Sequence, residues 1–401
     1  MSKTRHITLP AGFRAAGVRC GIKASGAEDL AVVAADRDAA AAIMTTRNQV
    51  VGAPVIWCRS VLPRGCGRAR AIVINSGCSN VCTGKRGLKD AEAMAAETAR
   101  PLGTRPRKVL VASTGVIGHR LPMARIRKGI SAAVAALGTR NDSSALRAIM
   151  TTDTQEKSAV ARARLGRRLV TVAGMAKGSG MIAPSLATMI AVLTTDAAVS
   201  PPALHKALKA AAAGSFNAVT VDSDTSTSDT VAFLASGAAG NRALTAKSAG
   251  FGGFAAAVNQ VCRELAWAIA ADGEGATKVI EVVVRGARSA AEGEAAAKSV
   301  ANSPLLKCAV HGCDPNWGRI LAALGKSPAR IDPQKVSVRI GSQTVFSRGT
   351  GRNFDRKRLA WYLAGKAVRI ACDLGLGRGR YTALTCDLSR EYVAINAEYH
   401  T

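Results

Sequence analysis

Apolar positions along this chain come in short runs bounded by turn residues. The runs "LAVVAA" (30–35), "AIVIN" (71–75), "KVLVAS" (108–113), "MIAVLTT" (189–195), "KVIEVVV" (278–284) and "KVSVRI" (335–340) are short and mostly rich in Val and Ile, so they predict strands. Longer Ala-rich stretches lie between them and predict helices: "DAEAMAAETARPLG" (90–103), "PMARIRKGISAAVAALG" (122–138) and "SPPALHKALKAAAAGSF" (200–216). The second carries Pro near its start and Gly past its end, the asymmetry that helix termini favour. Strands alternating with helices argue an α/β or layered α+β fold. No repeat or low-complexity linker interrupts the chain, and "TRNDSSA" (139–145) is its clearest polar loop.

The chain has 401 residues, enough for a sizeable core and two lobes. Hydrophobic residues make up 48% and aromatics only 4%, so the core is built from small side chains. The net charge of +28 points first to nucleic acid or an anionic surface. Its distribution argues against that as the main function. Basic residues are scattered from Arg5 to Arg390, and the densest cluster, "RARLGRR" (162–168), has no aromatic on which a base could stack. A coding bias toward Arg and Ala and attraction of small acidic substrates are the other readings of the charge. The ten Cys form no C-x-x-C pair and of the five His only His311 stands close to any of them, so no metal site is expected. "MSKTRHITLPAGFRAAG" has no apolar signal core and no stretch suits a membrane span, which predicts a cytoplasmic protein with reduced thiols.

Several phosphate and metal motifs fail on spacing. "GLGRGR" (375–380) is not a dinucleotide fingerprint, and "GEGATK" and "KGSG" have the wrong order for a P-loop. "DSDTSTSDT" (222–230) begins like a calcium loop but has Thr227 where Gly is needed and Phe233 where Glu is needed. It reads as a polar loop that hydrogen-bonds to itself, and "GCDPNWGRI" (312–320) as a structural corner around a buried Trp317. Neither is expected to be catalytic.

The stretch "KGSGMIAPSLATMIAVLTT" (177–195) carries more chemistry. A Gly- and Pro-rich turn leads to Thr188 at the mouth of an apolar run, and such a turn can present the Ala187–Thr188 peptide under strain. "ASTGVIG" (112–118) follows a predicted strand and places Thr114 beside Gly115, so a hydroxyl and a backbone N–H could form an oxyanion hole. No Ser-His-Asp pattern competes. A Thr at a chain N-terminus needs no His, because a free α-amine with a pKa of about 8 can take the hydroxyl proton. That route requires a cut between Ala187 and Thr188.

These stretches are part of a longer ordered set: "GFRAAGVRCGIK" (12–23), "INSGCSNVCTG" (74–84), "STGVIGHRLPM" (113–123), "AIMTTDT" (148–154), "AKGSGMIAPSLATM" (176–189), "SFNAVTVDSDTSTSDT" (215–230), "DGEGATK" (272–278), "GCDPNWGRI" (312–320) and "EYVAINAEYHT" (391–401). Together they span nearly the whole chain and make it resemble the ornithine acetyltransferase family, also called glutamate N-acetyltransferase, of arginine biosynthesis.

The resemblance implies self-cleavage before Thr188, which then accepts an acetyl group from N2-acetyl-L-ornithine and passes it to L-glutamate. It implies an oxyanion hole at Thr114 and Gly115, and substrate contacts at Thr154, Lys177, Thr188, Glu274, Asn396 and Thr401. Lys177 suits a substrate carboxylate and Glu274 an ammonium. Asn396 and Thr401 lie at the C-terminal end, so the tail must fold back into the site. The implied fold is two stacked β-sheets between helical layers (an αββα sandwich), with a smaller C-terminal α/β lobe at about 278–401. Residues 1–187 and 188–401 would be the two fragments, interlaced and paired into a heterotetramer. No cofactor is implied, and acetyl-CoA enters only as an alternative donor. Arg47, Cys78, Ser79, Ser185 and Leu186 depart from the family pattern and leave Thr188 untouched. An aminopeptidase-like hydrolase of the same architecture and a basic nucleic-acid-binding protein are the alternatives; the choice of water or an amine as acceptor discriminates the first, and a salt titration against DNA the second.

Overall fold

The computed structural model describes residues 5–183 and 189–398. The first part of the chain runs β1 (Phe13–Val18), β2 (Leu30–Thr45), α1 (Ala53–Val61), β3 (Cys66–Asn75), α2 (Gly84–Ala99), β4 (Val109–Ser113), α3 (Met123–Ala135), α4 (Asp142–Arg147), β5 (Lys157–Leu165) and β6 (Arg168–Lys177). There follow β7 (Ile190–Thr195), α5 (Pro201–Ala213), β8 (Thr230–Ala235) and α6 (Phe251–Ala271). Every run read as a strand forms one, and the three Ala-rich stretches are α2, α3 and α5. The boundaries move: β2 continues past Ala35 to Thr45, and α2 starts at Gly84 and stops before Pro101.

These strands pair in the order β4-β3-β2-β8-β7-β6-β5, with β1 also against β2. The long β2 serves both halves of this ladder. Its first part pairs with β1 and β3 and its second with β3 and β8, with a register break between Ala34 and Ala39. Period-two alternation then assigns each residue to a layer. Val73, Val109 and Val111 pack with Met94 of α2 and Ile126 and Ile130 of α3. Their neighbours Ile72, Ile74, Leu110 and Ala112 point the other way, into one cluster with Met175, Ile190, Val192, Ala232 and Leu234. On the far side Leu193, Val231 and Phe233 meet Leu204 and Leu208 of α5 and Val258 and Leu265 of α6. The layers are therefore helix, sheet, sheet, helix. The two stacked sheets are one hydrogen-bonded ladder folded back on itself through β2.

The remaining elements are β9 (Val279–Ala287), α7 (Ala290–Ala301), α8 (Pro304–His311), α9 (Trp317–Gly325), β10 (Ser337–Ile340), β11 (Gln343–Ser347), β12 (Thr350–Gly351), α10 (Arg356–Leu363), β13 (Ala367–Asp373), β14 (Gly379–Cys386) and α11 (Arg390–Glu398). Six of them form a second sheet, β12-β11-β10-β13-β9-β14. Its core joins Ile280, Val282 and Val284 to Val300, Ile320 and Leu324. The "GCDPNWGRI" corner is the start of α9: Asn316 caps it by accepting from Arg319 N–H at 3.2 Å, and Trp317 is only half-buried, packed on Phe346. Among the described residues no helix is long and apolar enough to cross a membrane.

Candidate active site

Five segments meet at one edge of the long ladder. Thr114 follows β4, Lys177 ends β6, Ile190 opens β7 and pairs with Thr230 at the start of β8, and Thr230 pairs with Thr45 at the end of β2. A cavity of about 140 Å³ opens here, lined by Thr114, Gly115, Lys177, Glu274 and Asn396 together with Ser79, Thr151, Thr152, Gly180, Met181 and Ser226–Ser228. The structure thus brings together five of the residues that the sequence singles out. Ala187, Thr188 and Thr401 lie outside the described residues.

The Thr114–Gly115 turn is held from behind by Asn75. Asn75 accepts from Ser113 Oγ at 2.6 Å and donates to the Cys78 carbonyl at 2.8 Å. The Thr114 N–H is used on the Asn75 carbonyl at 3.0 Å, which leaves Thr114 to act through its hydroxyl. Gly115 has φ +120°, and a Cβ there would lie 2.4 Å from the Gly77 carbonyl carbon. Only glycine fits this turn.

Lys177 is buried beside Asp153, 3.9 Å away. Burial lowers the lysine pKa, and Asp153 opposes that fall. Asp153 also accepts from Lys157 Nζ at 2.7 Å, Gly178 N–H at 2.6 Å and Thr151 N–H at 3.0 Å. Burial by itself would raise the Asp153 pKa, but Lys177 and Lys157 outweigh it and bring it down to about 2. Lys157 pairs in turn with Asp272. Thr154 is placed here, its hydroxyl and N–H both donated to Asp272, while its neighbours Thr151 and Thr152 reach the cavity. Asp272 opens the turn to Glu274, whose N–H donates to the Ser179 carbonyl at 3.0 Å. The buried Asp153–Lys157–Asp272 group therefore fixes both loops that present Lys177 and Glu274. Asn396 of α11 donates to Glu274 at 2.9 Å, so the tail does fold back. Gly180 makes room for this carboxylate: a Cβ there would lie 2.3 Å from Glu274 Oε2.

The loop 222–230 was expected to be a bystander, and the structure makes it part of the site. Asp222 accepts from Met181 N–H at 2.6 Å and Ile182 N–H at 2.8 Å, on one side of the Ala187–Thr188 step. Asp229 accepts from Met189 N–H at 3.1 Å on the other. One loop so fastens both flanks of that step. Asp229 is fully buried, and burial raises its pKa well above the usual carboxylate range. The loop also hydrogen-bonds to itself, as its sequence suggests, through Asp224 N–H on Asp222 and Ser228 N–H on Ser226 Oγ, so its local pattern gives no sign of these long-range roles.

Comparison with known proteins gives the family. The sequence pattern of the ArgJ family matches residues 14–401. The arginine biosynthesis bifunctional protein ArgJ of Symbiobacterium thermophilum is 48% identical over 98% of this chain and 98% of its own length. That of Geobacillus stearothermophilus is 44% identical over 98% of this chain and 96% of its own. A crystal structure of the Bacillus halodurans protein of that name matches with a TM-score of 0.50 at 40% identity, covering 51% of this chain and 96% of the solved one. The chain belongs to the ArgJ family.

Proposed function

We propose that this protein is an acetyltransferase of arginine biosynthesis that cuts itself between Ala187 and Thr188 and then moves acetyl from N2-acetyl-L-ornithine to L-glutamate through an acetyl-Thr188 ester. The observation that carries this reading is the convergence of a cation, an anion and an oxyanion turn on one cavity beside a chain step fastened at both flanks. In the first half-reaction Thr188 Oγ attacks the acetyl carbonyl while its α-amine takes the hydroxyl proton. Thr114 Oγ and Gly115 N–H stabilise the oxyanion, the C–N bond breaks, and ornithine leaves with the proton on its nitrogen. In the second the glutamate amine attacks the ester and Thr188 Oγ recovers its proton. Lys177 pairs with the α-carboxylate, and Glu274 with the α-ammonium of the arriving or leaving amino acid. Acetyl-CoA loads the same Thr in the second activity of a bifunctional enzyme.

β6 and β7 pair antiparallel from Val172–Thr195 to Lys177–Ile190, so the two fragments would share a ladder and remain together after processing. Two copies of each fragment would give a heterotetramer of twice 41.3 kDa. The test is intact-mass measurement. Wild-type protein should show fragments 1–187 and 188–401, and N-acetylornithine alone should make the second one acetyl group heavier until glutamate is added. A Thr188→Ala chain should stay whole. An uncut wild-type chain, or transfer with no acetylated fragment after millisecond quenching, would overturn the reading.

A further inference from the structure

Ornithine and glutamate share an α-carboxylate and an α-nitrogen, and they differ in the sign of the distal group. Ornithine ends in an ammonium and glutamate in a carboxylate, the same number of bonds from Cα. Lys177 and Glu274 can hold the shared head of both. The distal end needs a different solution, because a fixed charge that attracts one substrate repels the other by several kcal/mol. A hydroxyl donates and accepts alike.

The cavity carries such a surface. Ser228 Oγ lies 2.9 Å from Ser79 Oγ and 3.4 Å from Thr227 Oγ1, and in both contacts either atom can be the donor. All three side chains line the cavity and are buried. Their loop is held rigid from outside: Thr46 Oγ1 donates to the Ser226 carbonyl at 2.5 Å, Asn48 Nδ2 to the Thr225 carbonyl at 2.7 Å, and Gly52 N–H to the Thr227 carbonyl at 3.0 Å. Asp229, the next residue along, is buried and accepts from Met189 N–H, and burial raises its pKa well above the usual carboxylate range.

We propose that Ser228, backed by Ser79 and Thr227, reads the distal group of both substrates, donating to the glutamate carboxylate and accepting from the ornithine ammonium as the hydroxyl chain reverses direction. The proposal rests on the acetyl-transfer reading above. It makes Ser228 a specificity-determining residue: the head is read by charge and the tail by a reversible hydroxyl.

The experiment follows deacetylation of acetyl-enzyme by glutamate and, separately, by isotopically labelled ornithine, with products measured by mass. Ser228→Ala should slow both by a similar factor of about 10, the worth of one hydrogen bond to a charged group. Ser228→Asp should lower the rate with glutamate by about 100-fold or more relative to ornithine, because a carboxylate then faces a carboxylate. Self-cleavage into two fragments reports a folded site, and Ser79→Asp makes the same test from the other end of the chain should Ser228→Asp remain whole. Equal losses with both acceptors in the Asp variants, or an effect of Ser228→Ala on one acceptor only, would overturn the proposal. If wild-type protein transfers acetyl without an acetylated fragment, the acyl-enzyme reading fails by itself, and the ratio of overall rates for the two acceptors still decides the role of Ser228.

Discussion

Replacing Asp153 by Asn probes the electrostatics that hold the site together. In the folded protein burial raises this carboxyl's pKa, yet Lys177, Lys157 and the Gly178 N–H bring it from 3.8 to about 2. The folded value lies below the unfolded one. The unfolded chain therefore binds more protons between the two values, and the stabilisation is complete above the unfolded pKa and lost as pH falls through the folded one. That fall in pKa corresponds to about 2 kcal/mol at pH 7. Asn cannot ionise, so the variant lacks this contribution at every pH. It also leaves Lys177 and Lys157 short of a counter-charge, which brings the loss at pH 7 to about 3–5 kcal/mol. Below pH 4 the wild-type protein gives up what the variant never had. The gap between them should narrow by about 1 kcal/mol at pH 3 and about 2 kcal/mol at pH 2.

Urea denaturation of both proteins at pH 7 and pH 3, followed by far-UV circular dichroism, measures that gap. Activity supplies a second readout. Asp153 props up the Lys177 pKa against burial, so without it Lys177 loses its proton at lower pH. The alkaline limb of kcat/KM should then shift downward in the variant. A stability gap that is the same at pH 7 and pH 3, with an unmoved alkaline limb, would refute the view that Asp153 is held ionised to serve Lys177.

Two further outcomes follow from the geometry. Thr114→Ala removes one donor from the oxyanion turn and should cost about 100-fold or more in turnover, with thermal unfolding little changed; near-normal turnover in a folded variant would put the hole elsewhere. Asn396→Ala removes the 2.9 Å hydrogen bond to Glu274 and should raise the KM for glutamate about 10-fold, measured by steady-state kinetics; an unchanged KM would mean that the folded-back tail does not position Glu274.

The parts of the site legible in the sequence were those set by local backbone chemistry. The Thr114–Gly115 turn and the Gly-rich turn after Lys177 show in the sequence because glycine is demanded by conformation or close approach, as at Gly115 and Gly180. The supporting charges left no such mark. No local pattern marks Asp153, Lys157 and Asp272, because Thr154 and Lys157 meet Asp272 more than a hundred positions away. Glu274 and Asn396 were placed by family resemblance and not by pattern, because their pairing spans 122 positions of the chain. The densest basic cluster lies on a strand face: in β5 the exposed Arg162 and Arg164 alternate with buried Ala161, Ala163 and Leu165 before the hairpin turns at Gly166. The strands were visible because alternation or apolar runs mark them. Their stacking was not, because one long strand, β2, joins the two halves through a register break that no run of alanines announces.

The loop 222–230 explains why the proposed cut need not disturb the site it creates. Met181 and Ile182 belong to the upstream fragment, but their N–H groups are held by Asp222 of the downstream one. Met189, next after Thr188, is held by Asp229 and by the Thr230 N–H on its carbonyl. Cutting one peptide between these anchors frees only the short stretch inside them. The ladder across the cut stays paired from Lys177–Ile190 onward, and the core beneath α5 and α6 draws residues from both β6 and β7. Separating the fragments would expose two strand edges and that core together, an opposing cost far larger than the worth of any single contact. The same loop carries Ser228 into the cavity. One segment thus fastens both flanks of the cleavage step and supplies a wall of the pocket, so the geometry that would direct the cut is carried over into the geometry that receives the substrate.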